Sequence, residues 1–433
     1  MKKIIYVISL LLIAAILFCS CNENTPSVTD DSSATLESDV PEATSAIEVD
    51  RFEAVRDSGE EWLKYGLSAY ENGKALSDLK SFFKESSNLS YLTLYDHMFT
   101  YDKEKSVPVA EALFAFIYEQ YGADALLDID KRIEYKTEFL KSLGCDIQYT
   151  QPIELEAFLV SMDFSSNKTY KYIISFDNVT YYFEDFSSGT PAQYHGFLYY
   201  NTRGLRKMIE YLNENAPSEI LDTDRDFEFY MTFDGSVYSK TIISTGKMYI
   251  NDSSSGLHEA VHAMGIVTYD NIWLSEGLCN YFGKALGFND QIVLSYIQIL
   301  TMAKLGYFDE RAKAGEEYAK LCISIYEEFV KHGGKLDSVD AFDLRLYYDV
   351  AARIELESGN YVTLGEAYSS VNKKECNAVG EELSYDQTTS LIMYLVDNYG
   401  IEKLLEAYKT QDVSVTFGKD YEALKAEWLE YLK

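Results

Sequence analysis

An α+β fold in two domains is predicted by three features of the 433-residue chain. Apolar residues recur at helical spacing up to about residue 165, as in Glu60–Leu67 and Val109–Tyr121. Short β-branched and aromatic segments then gather between 170 and 250. Beyond Ala285 helical spacing returns and runs to the C-terminus. Strands confined to the middle of a helix-rich chain imply a small sheet with helices to one side.

The chain opens on a segment that is not part of that fold. Lys2 and Lys3 precede a predominantly apolar run, Ile4–Phe18, the length of a signal-peptide core and short for a membrane span. The run ends at Phe18-Cys19-Ser20-Cys21, where a small residue before a cysteine resembles the lipobox of bacterial lipoproteins. The resemblance implies a signal peptide over 1–20 and a lipid on Cys21. Such a lipid anchors a protein to the outer face of a membrane without spanning it. Residues 21–50 are rich in Ser, Thr, Asp and Glu and carry few large apolar side chains, so they read as a disordered acidic tether. The roughly 380 residues that follow suffice for two cores.

Residues 51–194 form the first predicted domain, mainly helical, with Gly122 punctuating its longest apolar pattern. Tyr170–Phe176 and Val179–Phe183, with Asp177-Asn178 between them, predict a hairpin. The second domain is placed at 195–433. Leu205–Leu212 reads as helix, and Phe227–Phe233, Thr241–Ser244 and Lys247–Ile250 as strands parted by Asp234-Gly235 and Thr245-Gly246. Asp252-Ser253-Ser254-Ser255 offers N-cap residues for the helix that comes next.

That helix carries His258-Glu259-Ala260-Val261-His262, which takes two of the chain's five histidines. At positions i and i+4 both imidazoles lie on one face and reach a common metal ion. A carboxylate at i+1 sits where it can take a proton from water beside that ion. Leu257, Val261 and Met264 supply an apolar face on which the helix can pack. Catalytic zinc takes three protein ligands and keeps a fourth position open. Glu276, in Trp273-Leu274-Ser275-Glu276-Gly277, follows a loop around Gly265 and Asp270-Asn271, so a second helix can turn back and offer it as the third ligand.

W-x-x-E-G after H-E-x-x-H resembles the gluzincin zinc peptidases, the peptidase-MA-like superfamily that includes thermolysin-like and aminopeptidase-N-like enzymes. The gap to Glu276 is shorter than in those two groups and is similar to compact bacterial members. The resemblance covers roughly 195–433 and implies a gluzincin catalytic domain: a small mixed sheet, the H-E-x-x-H helix and a helical C-terminal lobe. It implies one Zn²⁺ on His258, His262 and Glu276, with Glu259 as general base. Tyr385, in Tyr385-Asp386-Gln387-Thr388-Thr389, resembles a helix-opening tyrosine that hydrogen-bonds the oxyanion; Thr388 stands where that family has glycine. Asn280 lies where a ligand-orienting aspartate occurs in thermolysin-like members. Gly246-Lys247-Met248-Tyr249 lacks the glutamate of the aminopeptidase motif, so aminopeptidase action is unsupported, and Lys247–Ile250 is expected to be an edge strand for an extended peptide.

A net charge of −32 argues against nucleic acid as a partner. Cys145, Cys279, Cys322 and Cys376 are widely spaced and leave disulfide pairing open. The expectation is a membrane-anchored zinc peptidase on the extracytoplasmic face of a bacterial cell, acting on a peptide or protein. The alternative is a surface-binding lipoprotein that keeps the fold without the chemistry. Substrate, cleavage preference and the role of residues 51–194 are not legible in the sequence.

Overall fold

A computed structural model describes residues 52–433 except 74–78, 85, 95–98, 100–101, 150–152, 185–190, 217–219, 232–238, 253, 268–270 and 359–377. The expected signal peptide, the tether, Cys21, Cys376 and Asp234-Gly235 lie outside the described residues. The chain is α+β and divides into two compact units. The first ends at Phe176 and takes in Asp185–His195; the second comprises Asp177–Glu184 and Gly196–Lys433.

In the first unit, helices α1 (Glu61–Glu71), α2 (Lys103–Tyr121), α3 (Arg132–Ser142) and α4 (Ile153–Val160) precede strands β1 (Asp163–Ser165) and β2 (Tyr172–Phe176). The strands pair antiparallel with Phe164 opposite Ile174. Gly66 lets α1 settle directly on the Phe114 ring of α2, where a methyl group would overlap it. Glu60 links the helices further: it accepts from the Trp62 indole at 2.6 Å and pairs with buried Arg132 at 2.7 Å. A charge buried in this way is tolerated because its partners replace water.

The second unit holds β3 (Val179–Phe183), most of α5 (Pro191–Asn215), β4 (Phe227–Met231), β5 (Lys240–Ile242) and β6 (Lys247–Ile250). Its strands run in the order β3-β4-β6-β5. β4 is parallel to both β3 and β6, with Tyr181 beside Phe229 and Phe229 beside Met248; β5 returns antiparallel, with Thr241 opposite Met248. Alternation therefore puts Tyr181, Phe229, Met248 and Thr241 on one face. On that face Tyr181 stacks on Phe229, ring centroids 5.0 Å apart, and meets Phe197 of α5 edge-on at 5.9 Å. The other face carries a ladder of stacked tyrosines, Tyr182, Tyr230 and Tyr249, at 4.5 and 5.2 Å.

Helices α6 (Gly256–Ala263) and α7 (Ile272–Asn280) follow, and α7 runs into a π-helical turn, Tyr281–Ala285. The helical lobe is α8 (Asp290–Lys304), α9 (Asp309–Lys313), α10 (Glu317–Lys331), α11 (Leu344–Glu357), α12 (Ala378–Tyr399), α13 (Ile401–Thr410), α14 (Val413–Phe417) and α15 (Tyr421–Tyr431). Trp428 of α15 is fully buried and donates to Ser390 of α12 at 3.0 Å, which anchors the closing helix.

Three expectations change. Lys247–Ile250 is an interior strand, because β5 pairs along its outer side; among the described residues the edge on that side is Lys240–Ile242. Tyr385 does not open its helix, since α12 begins a full two turns earlier at Ala378. Ser255 occupies the N-cap of α6 without a capping side-chain bond; Asp252 instead binds Ser254 and Ser255 and shapes the turn before the helix.

Candidate metal centre

Helix α6 is buried along its whole length, including His258, Glu259 and His262. Its start is fixed by a close approach from behind: a Cβ on Gly283, in the π turn, would lie 2.6 Å from the His258 backbone nitrogen. Asn201 of α5 packs in the same way on Gly256. The far end is capped by the Arg225 guanidinium, which donates to the Ala263 carbonyl. Arg225 fits there because Gly246, at φ 67°, has no side chain to collide with it. The turn beyond the helix is clamped from α13. The Tyr408 hydroxyl donates to the Gly265 carbonyl at 2.8 Å and accepts from the Val267 amide at 3.0 Å.

Helix α7 presents Glu276 to both histidines. Its carboxylate oxygens lie 3.2 Å from His258 Nε2 and 3.5 Å from His262 Nε2. Among the described residues these three form the one cluster suited to a metal, with ligand atoms within 4.8 Å of one another. Gly277 allows α7 to sit tight against α12; a Cβ there would meet Thr388 at 2.8 Å and Ile392 at 2.6 Å. Thr388 thus packs against the glycine of W-x-x-E-G. The same contact brings in Tyr385, whose hydroxyl donates to Glu276 Oε2 at 3.4 Å, with its ring 6.0 Å from that of His258.

The outer nitrogens of the imidazoles are committed elsewhere. His262 Nδ1 lies 2.5 Å from the Ile266 carbonyl, which can only accept, so Nδ1 carries a proton. His258 Nδ1 lies 3.0 Å from Asn280 Oδ1 and donates likewise, the orienting role expected of Asn280. With Nδ1 protonated, each neutral ring turns an Nε2 lone pair toward the Glu276 carboxylate. Two lone pairs and an anion converging in a buried site repel unless a cation lies among them. The donor set therefore fits a metal ion, and two imidazoles with one carboxylate suit zinc.

Without metal, a proton takes that role. Burial opposes a charged His262, but Cys279 and Glu276 beside it outweigh burial and hold its pKa well above the usual imidazole value. Cys279 Sγ is 3.3 Å from His262 Nδ1. Burial pushes that thiol up to about 11, so it is neutral and Glu276 supplies the charge. Burial would raise Glu276, yet its bonds to His258 and His262 hold it well below the usual carboxylate range.

Glu259 is buried at 5% exposure and faces β5. Its Oε2 accepts from the Thr241 hydroxyl at 2.7 Å. Nothing in the sequence pointed to Thr241, which sits eighteen positions upstream on a three-residue strand. His258, Glu259, His262, Glu276 and Tyr385 thus lie together in the second unit, joined by Asn280, Cys279 and Thr241. Cys145, Cys279 and Cys322 are buried free thiols. No family model, curated protein or solved structure matches the chain.

Proposed function

We propose that the chain is a zinc-dependent peptidase of gluzincin type, hydrolysing peptide bonds at the outer face of a membrane to which Cys21 tethers it. The observation that carries this reading is the convergence of His258 Nε2, His262 Nε2 and the Glu276 carboxylate on one point, with Glu259 buried on the same helix as the two histidines.

Zinc held there would act as a Lewis acid that lowers the pKa of a water ligand toward neutrality and polarises a carbonyl. The remaining work belongs to the chain. Asn280 and the Ile266 carbonyl fix the two rings so that only Nε2 faces the ion. Glu259 accepts the water proton and delivers it to the leaving amine, which needs a carboxylate that stays put between the two transfers. The Tyr385 hydroxyl, 3.4 Å from Glu276, is a donor that would turn from that carboxylate to the oxyanion as charge develops. The edge strand Lys240–Ile242 is where an extended peptide would pair along the backbone.

A peptide library incubated with the zinc-loaded full-length protein is expected to show discrete cleavages. Glu259→Gln, with zinc still bound, is expected to abolish them. Equal cleavage by that variant would overturn the assignment.

A further inference from the structure

The Thr241 hydroxyl gives the one hydrogen bond that the Glu259 carboxylate receives among the described residues. It also lies 2.9 Å from the Glu259 carbonyl oxygen. A hydroxyl has a single proton, and the nearer, charged carboxylate is the stronger acceptor. Thr241 is well placed to hold it. Its neighbour across the ladder, Met248, is fully buried on the same face, so the Thr241 side chain is directed at α6 and not at solvent. The turn Ile243–Gly246 closes tightly behind it, with the Thr245 and Gly246 amides both donating to the Ile242 carbonyl.

A carboxylate in a buried site can rotate about its last torsion and present either oxygen, and a mispointed general base loses its proton path. Binding Oε2 to β5 restrains that rotation and leaves Oε1 as the oxygen to take the proton.

We propose that Thr241 is a positioning residue for Glu259, locking one carboxylate oxygen against the edge strand so that the other carries the proton. This rests on the proton-transfer role given to Glu259 above. It makes β5 part of the chemical machinery. The hydroxyl does the positioning, and the methyl group is incidental.

The test is a set of three replacements in the full-length, zinc-loaded protein: Thr241→Ser keeps the hydroxyl, while Thr241→Val and Thr241→Ala remove it with and without the branched shape. Two readouts are taken at equal zinc occupancy. One is kcat and KM on a cleaved peptide. The other is the affinity of a small hydroxamate, a metal-chelating probe whose own proton is shared with the general base. For Val and Ala, kcat is expected to fall about 10–100-fold with KM unchanged, and hydroxamate binding to weaken about tenfold. Ser should stay within about threefold of the parent in both. A role in packing alone predicts the opposite order, with Val like the parent and Ser and Ala impaired; that order overturns the inference. If the Val variant fails to fold, Ser against Ala decides it. If the parent cleaves no peptide, the peptidase reading fails by itself, and the hydroxamate series still judges Thr241.

Discussion

Replacing Glu259 by glutamine removes a proton acceptor and keeps its shape, so zinc binding and the 2.7 Å contact with Thr241 should survive while turnover should be lost. A drop in kcat of at least about 10²–10⁴ is expected, read against unchanged metal content. Tyr385→Phe removes the hydroxyl that lies 3.4 Å from Glu276 but none of the ligands. It should lower kcat about 10–100-fold and leave zinc affinity within about threefold, measured by competition with a chelating dye. The His258, His262 and Glu276 cluster was legible because metal chemistry prescribes both residue type and helical spacing, and the two histidines satisfy it within five residues. Tyr385 could be named only through its resemblance to a family motif, being 109 positions from its partner. Thr241 was illegible: in sequence it reads as an ordinary β-branched strand former, and only the pairing of β5 with β6 turns it toward Glu259.

The elements of the site are held by close approaches as much as by bonds. Gly283→Ala would drive a methyl group into the His258 backbone at 2.6 Å, and backbone cannot move aside as a side chain can. About 1–3 kcal/mol of destabilisation is expected in urea unfolding, together with weakened zinc binding because His258 shifts with its helix. Tyr408→Phe leaves the Gly265 carbonyl and the Val267 amide without their clamp and should cost about 1–3 kcal/mol. Helices α1, α2 and α15 and strand β6 follow from apolar periodicity and turn residues. What periodicity could not supply is which strand lies outermost, since that depends on β6 pairing parallel with β4 while β5 pairs antiparallel along its other side. It also could not place the start of α12, because Gly380 and Ser384 before Tyr385 read as a breaker and an N-cap, and the helix runs through both.

At the scale of the whole molecule, the site couples folding to pH in opposite directions with and without metal. In the metal-free protein Glu276 is depressed below its ordinary 4.5, so its contribution is present above that value and lost as pH falls through the folded pKa. His262 is raised above its ordinary 6.5, so its contribution is complete below that value and lost as pH rises through the folded pKa. Metal-free stability from this pair is therefore greatest between 4.5 and 6.5. Zinc must displace the His262 proton, so its stabilising effect grows as pH rises. Calorimetry with and without zinc should show an increment in Tm that widens between about pH 5.5 and 7.5. The most direct test of the metal centre is the zinc stoichiometry of the purified full-length protein and its variants after equilibrium dialysis. One equivalent is expected in the parent and in Glu259→Gln, and almost none in His262→Ala. Less than half an equivalent in well-folded parent protein, or a full equivalent retained by His262→Ala, would contradict the account.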